Sequence, residues 1–245
     1  WRLPLTVLAA LGAILAIILA VVVRDVPVGL ATGLRVRLRV LRHGSTLVTL
    51  LAGLLLTSAF NVVYIFSSAA TAGATGGSGT LLAILLLLFG VGGVVGNSFA
   101  GRLTDRLGSR AMASLSLGIQ IVVLALTPLV ERSYLALAIV FLVWGAAAFG
   151  AVIPVQHRLV SIDPAAAGIA LSWYSTAMYV GIALAPVLGA AVLNGAIGLP
   201  GSAVVPLVGA GLSLLAVVLF LLGFTAPRGL RRVRQVDVRA VCIAD

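Results

Sequence analysis

The sequence predicts an all-α membrane protein, a polytopic helical bundle of about seven transmembrane helices. Three observations point there. The 245-residue chain is 62% hydrophobic and only 9% charged. Its mean hydropathy is +1.25. Its charges gather in short segments between long apolar runs. A water-soluble domain is about a quarter charged, because its outside faces water. A chain this poor in charge cannot cover a globule with polar surface. Its solvent is lipid, where helices satisfy their own backbone groups.

A helix needs about 20 apolar residues to cross the hydrocarbon core. Seven runs meet that length: residues 3–23, 46–70, 80–100, 111–130, 134–156, 165–194 and 203–224. The sixth run carries Pro186, which predicts a kink or a tilt. The runs are too long, and alternate too little, for barrel strands. The first is preceded only by Arg2, and its apolar stretch exceeds that of a signal peptide.

Charge orients the runs. All 16 basic residues are Arg, against 6 acids, for a net charge of +10. The connections after the first, third, fifth and seventh runs hold Arg24, Arg35, Arg37, Arg39, Arg42, Arg102, Arg106, Arg110, Arg158, Arg228, Arg231, Arg232, Arg234 and Arg239. The opposite side holds Arg2 and Arg132, and its loops at 72–79 and 194–202 are Gly-rich and uncharged. The positive-inside rule then predicts a cell-membrane protein with its C-terminus in the cytoplasm and Trp1 outside. The same distribution argues against nucleic acid as a partner. The single Cys242, in the basic tail, excludes an internal disulfide. An odd number of runs that begins outside, at Trp1, predicts that the sequence is part of a longer chain.

The richest connection reads Gly101-Arg102-Leu103-Thr104-Asp105-Arg106-Leu107-Gly108-Ser109-Arg110. Gly101 would let two helices approach closely, and Gly108 would permit a tight turn. Asp105 would cap a helix start or pair with Arg102 or Arg106. A charged latch of this kind can hold one conformation and release another. The bland alternative is an ordinary positive-inside loop containing one acid. Two small-residue stripes stand beside it: Gly92-x-x-x-Gly96-x-x-x-Ala100 and Gly181-x-x-x-Ala185-x-x-x-Gly189, the second with Pro186 inside. They predict close helix packing, static or sliding.

The connection matches the G-x-x-x-D-R-x-G-x-R loop signature of the major facilitator superfamily, which the chain resembles over nearly its whole length. Trp1-Arg2-Leu3-Pro4 resembles the opening of that family's sixth span. Gly145, Gly150, Pro154, Val155 and Gln156 resemble its tenth. Residues 181–190 resemble the G-x-x-x-G-P-x-x-G-G motif of its proton-coupled drug exporters, with Ala185 and Ala190 replacing two glycines. The likeness is to the drug:proton antiporter branch, near the arabinose-efflux-permease-like bacterial exporters. It implies that the runs correspond to spans six to twelve, the second half of the fold. Residues 1–23 would be the last helix of the N-terminal half and 24–45 a basic cytoplasmic linker. Residues 46–226 would form the C-terminal six-helix bundle and 227–245 a cytoplasmic basic tail.

Polar stripes inside lipid-buried helices mark cavities or pathways. Thr57, Asn61, Tyr64 and Ser68 fall at helical spacing in the second run. Ser172, Ser175 and Tyr179 do so in the sixth, with Trp173 alongside, and the fifth offers Trp144 and Phe149. Aromatics with hydroxyls and one amide suit an amphipathic small-molecule substrate held by shape. The alternatives stay open: Ser and Thr also bond their own helix backbone, and either Trp can be simple packing. No Asp, Glu or Arg lies well inside a run. A coupling proton needs a titratable group in the membrane, and the resemblance implies that those carboxylates belong to the missing N-terminal half. The basic stretches at 34–42 and 228–239 read as topology-enforcing segments or as contacts with anionic lipid. No nucleophile with a base, no metal-ligand cluster and no phosphate loop is legible, so no enzyme, metal or cofactor is expected. The competing expectations are therefore half of an exporter and a truncated membrane protein without transport activity.

Overall fold

A computed structural model describes residues 2–22, 33–196 and 200–225. Trp1, Arg24, the tail at 227–245 with Cys242, and the Arg35 side chain lie outside that description. The chain divides after Arg37 into two compact units. The first contributes α1 (Arg2–Val22), apolar and exposed on every side described. Next, α2 (Leu34–Leu41) straddles the division.

The second unit is an antiparallel helical bundle. Helix α3 (Gly44–Ile65) is followed by two short turns, α4 (Ser67–Ala70) and α5 (Ala72–Thr75). Then come α6 (Gly79–Leu126), α7 (Tyr134–Gly150), α8 (Val152–Ile162), α9 (Ala167–Ala191) and α10 (Gly201–Thr225). Six stretches of helix in the described residues are long and apolar enough to cross a membrane, one of them in the first unit. The runs expected at 80–100 and 111–130 share one of these, the 48-residue α6.

That helix does not run straight. Gly108 has φ 81° and ψ 154°, a backbone region open in practice only to glycine. The chain reverses there. A Cβ built on Gly150 would lie 3.8 Å from the Gly96 carbonyl oxygen and 3.4 Å from Ser116 Oγ. An unbroken helix would separate residues 96 and 116 by about 30 Å. The two arms of α6 therefore lie side by side and make two passes. Helix α9 is continuous through Pro186 and ends in a π-helical turn, Val192–Ala196.

The connections sort to two ends. At one end Ser45 Oγ and Arg158 Nη2 both donate to the Gly223 carbonyl, at 3.0 and 3.1 Å. The Arg158 guanidinium sits 4.1 Å over the Phe224 ring, and that of Arg110 6.0 Å. The start of α3, the turn at Gly108, the end of α8 and the end of α10 thus meet. At the other end Gly73 lies against the Glu131 carbonyl, Gly201 against Leu193, and Tyr134 donates to the Leu81 carbonyl at 3.1 Å. Arg102, Arg106, Arg110 and Arg158 fall at the first end and Arg132 at the second. Two apolar clusters fill the bundle. One, toward the Glu131 end, holds Leu85, Phe89, Leu124, Phe141 and Trp144. The other, toward the arginine end, holds Leu50, Leu56, Leu117, Val155, Tyr174 and Phe220.

Candidate functional site

Close helix contact fixes the geometry. A Cβ at Gly92 or Gly96 of α6 would overlap the backbone carbonyl of Leu142 or Ala146 of α7, and one at Gly145 that of Phe89. Only glycine lets these backbones meet, and dispersion between them replaces the hydrophobic force that lipid removes. On the other side Ser58 Oγ of α3 donates to the Gly181 carbonyl of α9 at 3.0 Å. A Cβ at Gly181 would lie 2.6 Å from the Leu54 carbonyl oxygen, and one at Gly189 would overlap the Phe66 ring. Helix α3 is thereby pinned to α9 on one flank.

Its other flank meets aromatic rings. Phe60 lies 5.9 Å from Phe149, and Tyr64 lies 5.5 Å from Phe89, centroid to centroid. Phe89 contacts Phe149 at 5.7 Å and Trp144 at 4.3 Å, and Trp144 meets Phe141 edge-on at 5.3 Å. The network joins Tyr64, Trp144 and Phe149 through Phe60 and Phe89, which the sequence reading had not singled out. A Phe in an apolar run carries no sign of its partners, so no sequence signal could have found those two. Trp144 is fully buried and backs the network instead of facing an opening, and its indole Nε1 has no acceptor. Tyr64 is 43% exposed and Phe149 38%.

The helical turn of about 100° per residue places Asn61 between Ser58, on the α9 side, and Phe60, on the aromatic side. Asn61 is half-buried, and its Nδ2 donates to the Thr57 carbonyl at 2.9 Å. Thr57 is buried and bonds back to Gly53. Helix α3 ends at Ile65, so the exposed Ser68 stands on the separate turn α4, out of register with Thr57, Asn61 and Tyr64.

On α9 the exposed positions include Ser172, Ser175, Thr176 and Tyr179, spaced for one face. Ser175 and Thr176 bond back to the carbonyls of Leu171 and Ser172 at 3.2 Å. Tyr179, near the middle of the helix, is 65% exposed. Trp173 is half-buried against the arginine-end cluster, beside the buried Tyr174. The exposed residues of α10 are different in kind: Leu207, Leu214, Leu215, Val218 and Leu222. Those of the second arm of α6 are Leu115, Ile119, Val122 and Leu126. Hydroxyls bonded back to their own helix, as at Ser175 and Thr176, are tolerated in lipid as well as in water. Helices α3 and α9 thus mix exposed polar and aromatic positions with aliphatic ones (Leu47, Leu51, Ile65, Val180, Leu184 and Val187), while the exposed positions described on α10 are aliphatic or glycine.

The loop signature lies at the arginine end. Gly108 forms the reversal. Gly101 does not mediate a close approach, contrary to expectation: a Cβ there would meet nothing within 4 Å. Arg102, Asp105, Arg106 and Arg110 are exposed. Among the described residues, no ion pair joins Asp105 to Arg102 or Arg106.

Known proteins are similar to this chain in sequence. The chain is 30% identical over 217 residues to the inner membrane transport protein YdhP of Escherichia coli K12, covering 89% of this chain and 56% of that protein. It is 30% identical over 130 residues to the MFS-type transporter YbcL of Bacillus subtilis, covering 53% of this chain and 33% of that one. It is 30% identical over 176 residues to a chloramphenicol resistance protein of Streptomyces lividans, covering 69% and 45%. The chain spans about half the length of the relatives it matches. Residues 48–239 match the family model of the Major Facilitator Superfamily, and with its reversal at Gly108 and its multi-pass helical bundle the chain belongs to that family of membrane transporters.

Proposed function

We propose that this chain is the C-terminal half of a secondary transporter that exports small organic compounds by alternating access, coupled to protons. The contrast of α3 and α9 with α10 carries the reading. Tyr64, Ser172, Ser175, Thr176 and Tyr179 are exposed and Asn61 is half-buried on α3 and α9, while the exposed positions of α10 are leucine, valine or glycine. A face of that kind suits a water-filled path, and the aliphatic face suits lipid. In this reading an N-terminal bundle completes the path and supplies the proton-titrating carboxylate. The arginine end faces the cytoplasm, as the positive-inside rule requires. The chain acts as a transporter and not as an enzyme. The relative named for chloramphenicol resistance supports export as the direction.

Two measurements test this. A C-terminal tag on the native product should give a membrane band near twice 24.9 kDa. A band at 24.9 kDa would favour a non-transporting membrane protein or interaction partner. Cells expressing the full protein should accumulate less labelled chloramphenicol or other small organic compounds, and a protonophore should abolish the difference. Accumulation that stays unchanged across a broad panel of compounds would sink the export reading.

A further inference from the structure

We infer that Phe60, Tyr64 and Phe149 form a stacking shelf for a flat, uncharged aromatic compound that carries a hydrogen-bond donor, accepted by Asn61. The inference rests on the transport reading, which makes this side of the bundle accessible to a ligand.

The rings are open yet held. Tyr64 and Phe149 keep 43% and 38% of their surface exposed. Phe149 sits over Gly93, where a Cβ would stand 2.6 Å from the ring, and it also contacts Phe60 and Phe89. Phe89 is fixed from behind by Trp144. Ring planes set before a ligand arrives lose little freedom on binding. Faces of this kind prefer another aromatic ring, offset or edge-on.

Asn61 supplies direction. Its Nδ2 is committed to the Thr57 carbonyl, which also assigns the amide orientation. That leaves Oδ1 as an acceptor on the residue next to Phe60, so the matching ligand atom is a donor. The helices around the shelf bring no Asp, Glu or Arg to it: those of α6 cluster at the Gly108 turn, and Arg158 stands at the far end of α8. An anionic ligand would meet no counter-ion from these helices, and the carboxylate proposed for the other half would repel it further, which selects against an anion.

The test uses the full protein in lipid nanodiscs and follows tryptophan fluorescence, because Trp144 lies 4.3 Å from Phe89. The probe is 4-nitrobenzamide, a flat, neutral quencher with an amide donor. Its saturable quenching should vanish in Trp144→Phe. Binding should weaken about tenfold in Phe149→Leu or Phe60→Leu, the scale of one lost aromatic contact. The anion 4-nitrobenzoate and the donor-free N,N-dimethyl amide should bind at least about tenfold more weakly, one hydrogen bond's worth. Asn61→Ala should erase the difference between the two amides. Unchanged thermal unfolding of Phe149→Leu would exclude a folding defect. Equal binding of the anion and the amide, unaltered affinity in both Phe variants, or no saturable quenching would overturn the inference. Transport by the same preparations is scored separately. If other compounds are moved while these probes do not bind, the shelf falls and the transport reading stands. If the probes bind in the stated pattern and nothing is moved, the transport reading falls instead.

Discussion

Ser58 on α3 donates its hydroxyl to the backbone carbonyl of Gly181 on α9, at 3.0 Å, in the middle of the bundle. The two helices run in the same direction from the arginine end, and between them they carry Asn61, Tyr64, Ser172, Ser175, Thr176 and Tyr179. Their pairing therefore sets the spacing of these positions.

That pairing predicts an asymmetric response. Ser58→Ala removes one interhelical hydrogen bond and should cost about 0.6 kcal/mol, the typical value between helices in lipid. Gly181→Val should cost much more, because a Cβ there would lie 2.6 Å from the Leu54 carbonyl oxygen. Thermal unfolding in detergent would compare the two. Equal effects would mean that the helices are not in close contact at Gly181.

Gly108→Ala should destabilise the protein by about 1–3 kcal/mol, the cost of holding a non-glycine residue in this backbone region. Gly101→Ala, in the same signature and also with free space around it, should be nearly silent. Folded yield in the membrane, read by size-exclusion profile, would separate them. A harmless Gly108→Ala would remove the conformational argument for the reversal.

Arg158 joins the end of α8 to the end of α10, through its bond to Gly223 and its place over Phe224. Arg158→Lys keeps the charge but loses the planar stack and its fixed fork of donors. Hydrogen exchange at residues 220–225 should rise, by the equivalent of about 1 kcal/mol. Unchanged protection there would show that α10 ends independently of Arg158.

The passes were legible in the sequence because their lengths are set by the bilayer and their ends are marked by arginine or by glycine-rich loops. The reversal at Gly108 was legible for the same reason: a glycine stands among charges between two apolar runs. What the sequence could not show was internal. Helix α3 breaks at Phe66, where neither proline nor charge stands, while the break of the fifth run at Ala151 follows Gly150, whose carbonyl loses its i→i−4 donor at Pro154. The break at Phe66 moves Ser68 off the stripe it shared with Asn61. Hydrophobic runs are apolar all round, so their period does not tell a lipid-facing Leu from a buried Phe. That hides Phe60 and Phe89 in the sequence and leaves the buried Trp144 indistinguishable there from an exposed one. Gln120 stands out as a lone amide in a span, yet only the fold shows its bond to Ser213 of α10, at 2.7 Å.

The central claim is that α3 and α9 face a water-accessible path while α10 faces lipid. Cysteine labelling tests it directly, because these 245 residues hold one thiol, Cys242. In the full protein in intact membranes, with Cys242 and any cysteine of the other half replaced by Ser, cysteines at Ser175 and Tyr179 should react with a small, charged methanethiosulfonate reagent. Cysteines at Leu214 and Val218 should not. Equal reactivity on both helices, or labelling of α10 alone, would contradict the account.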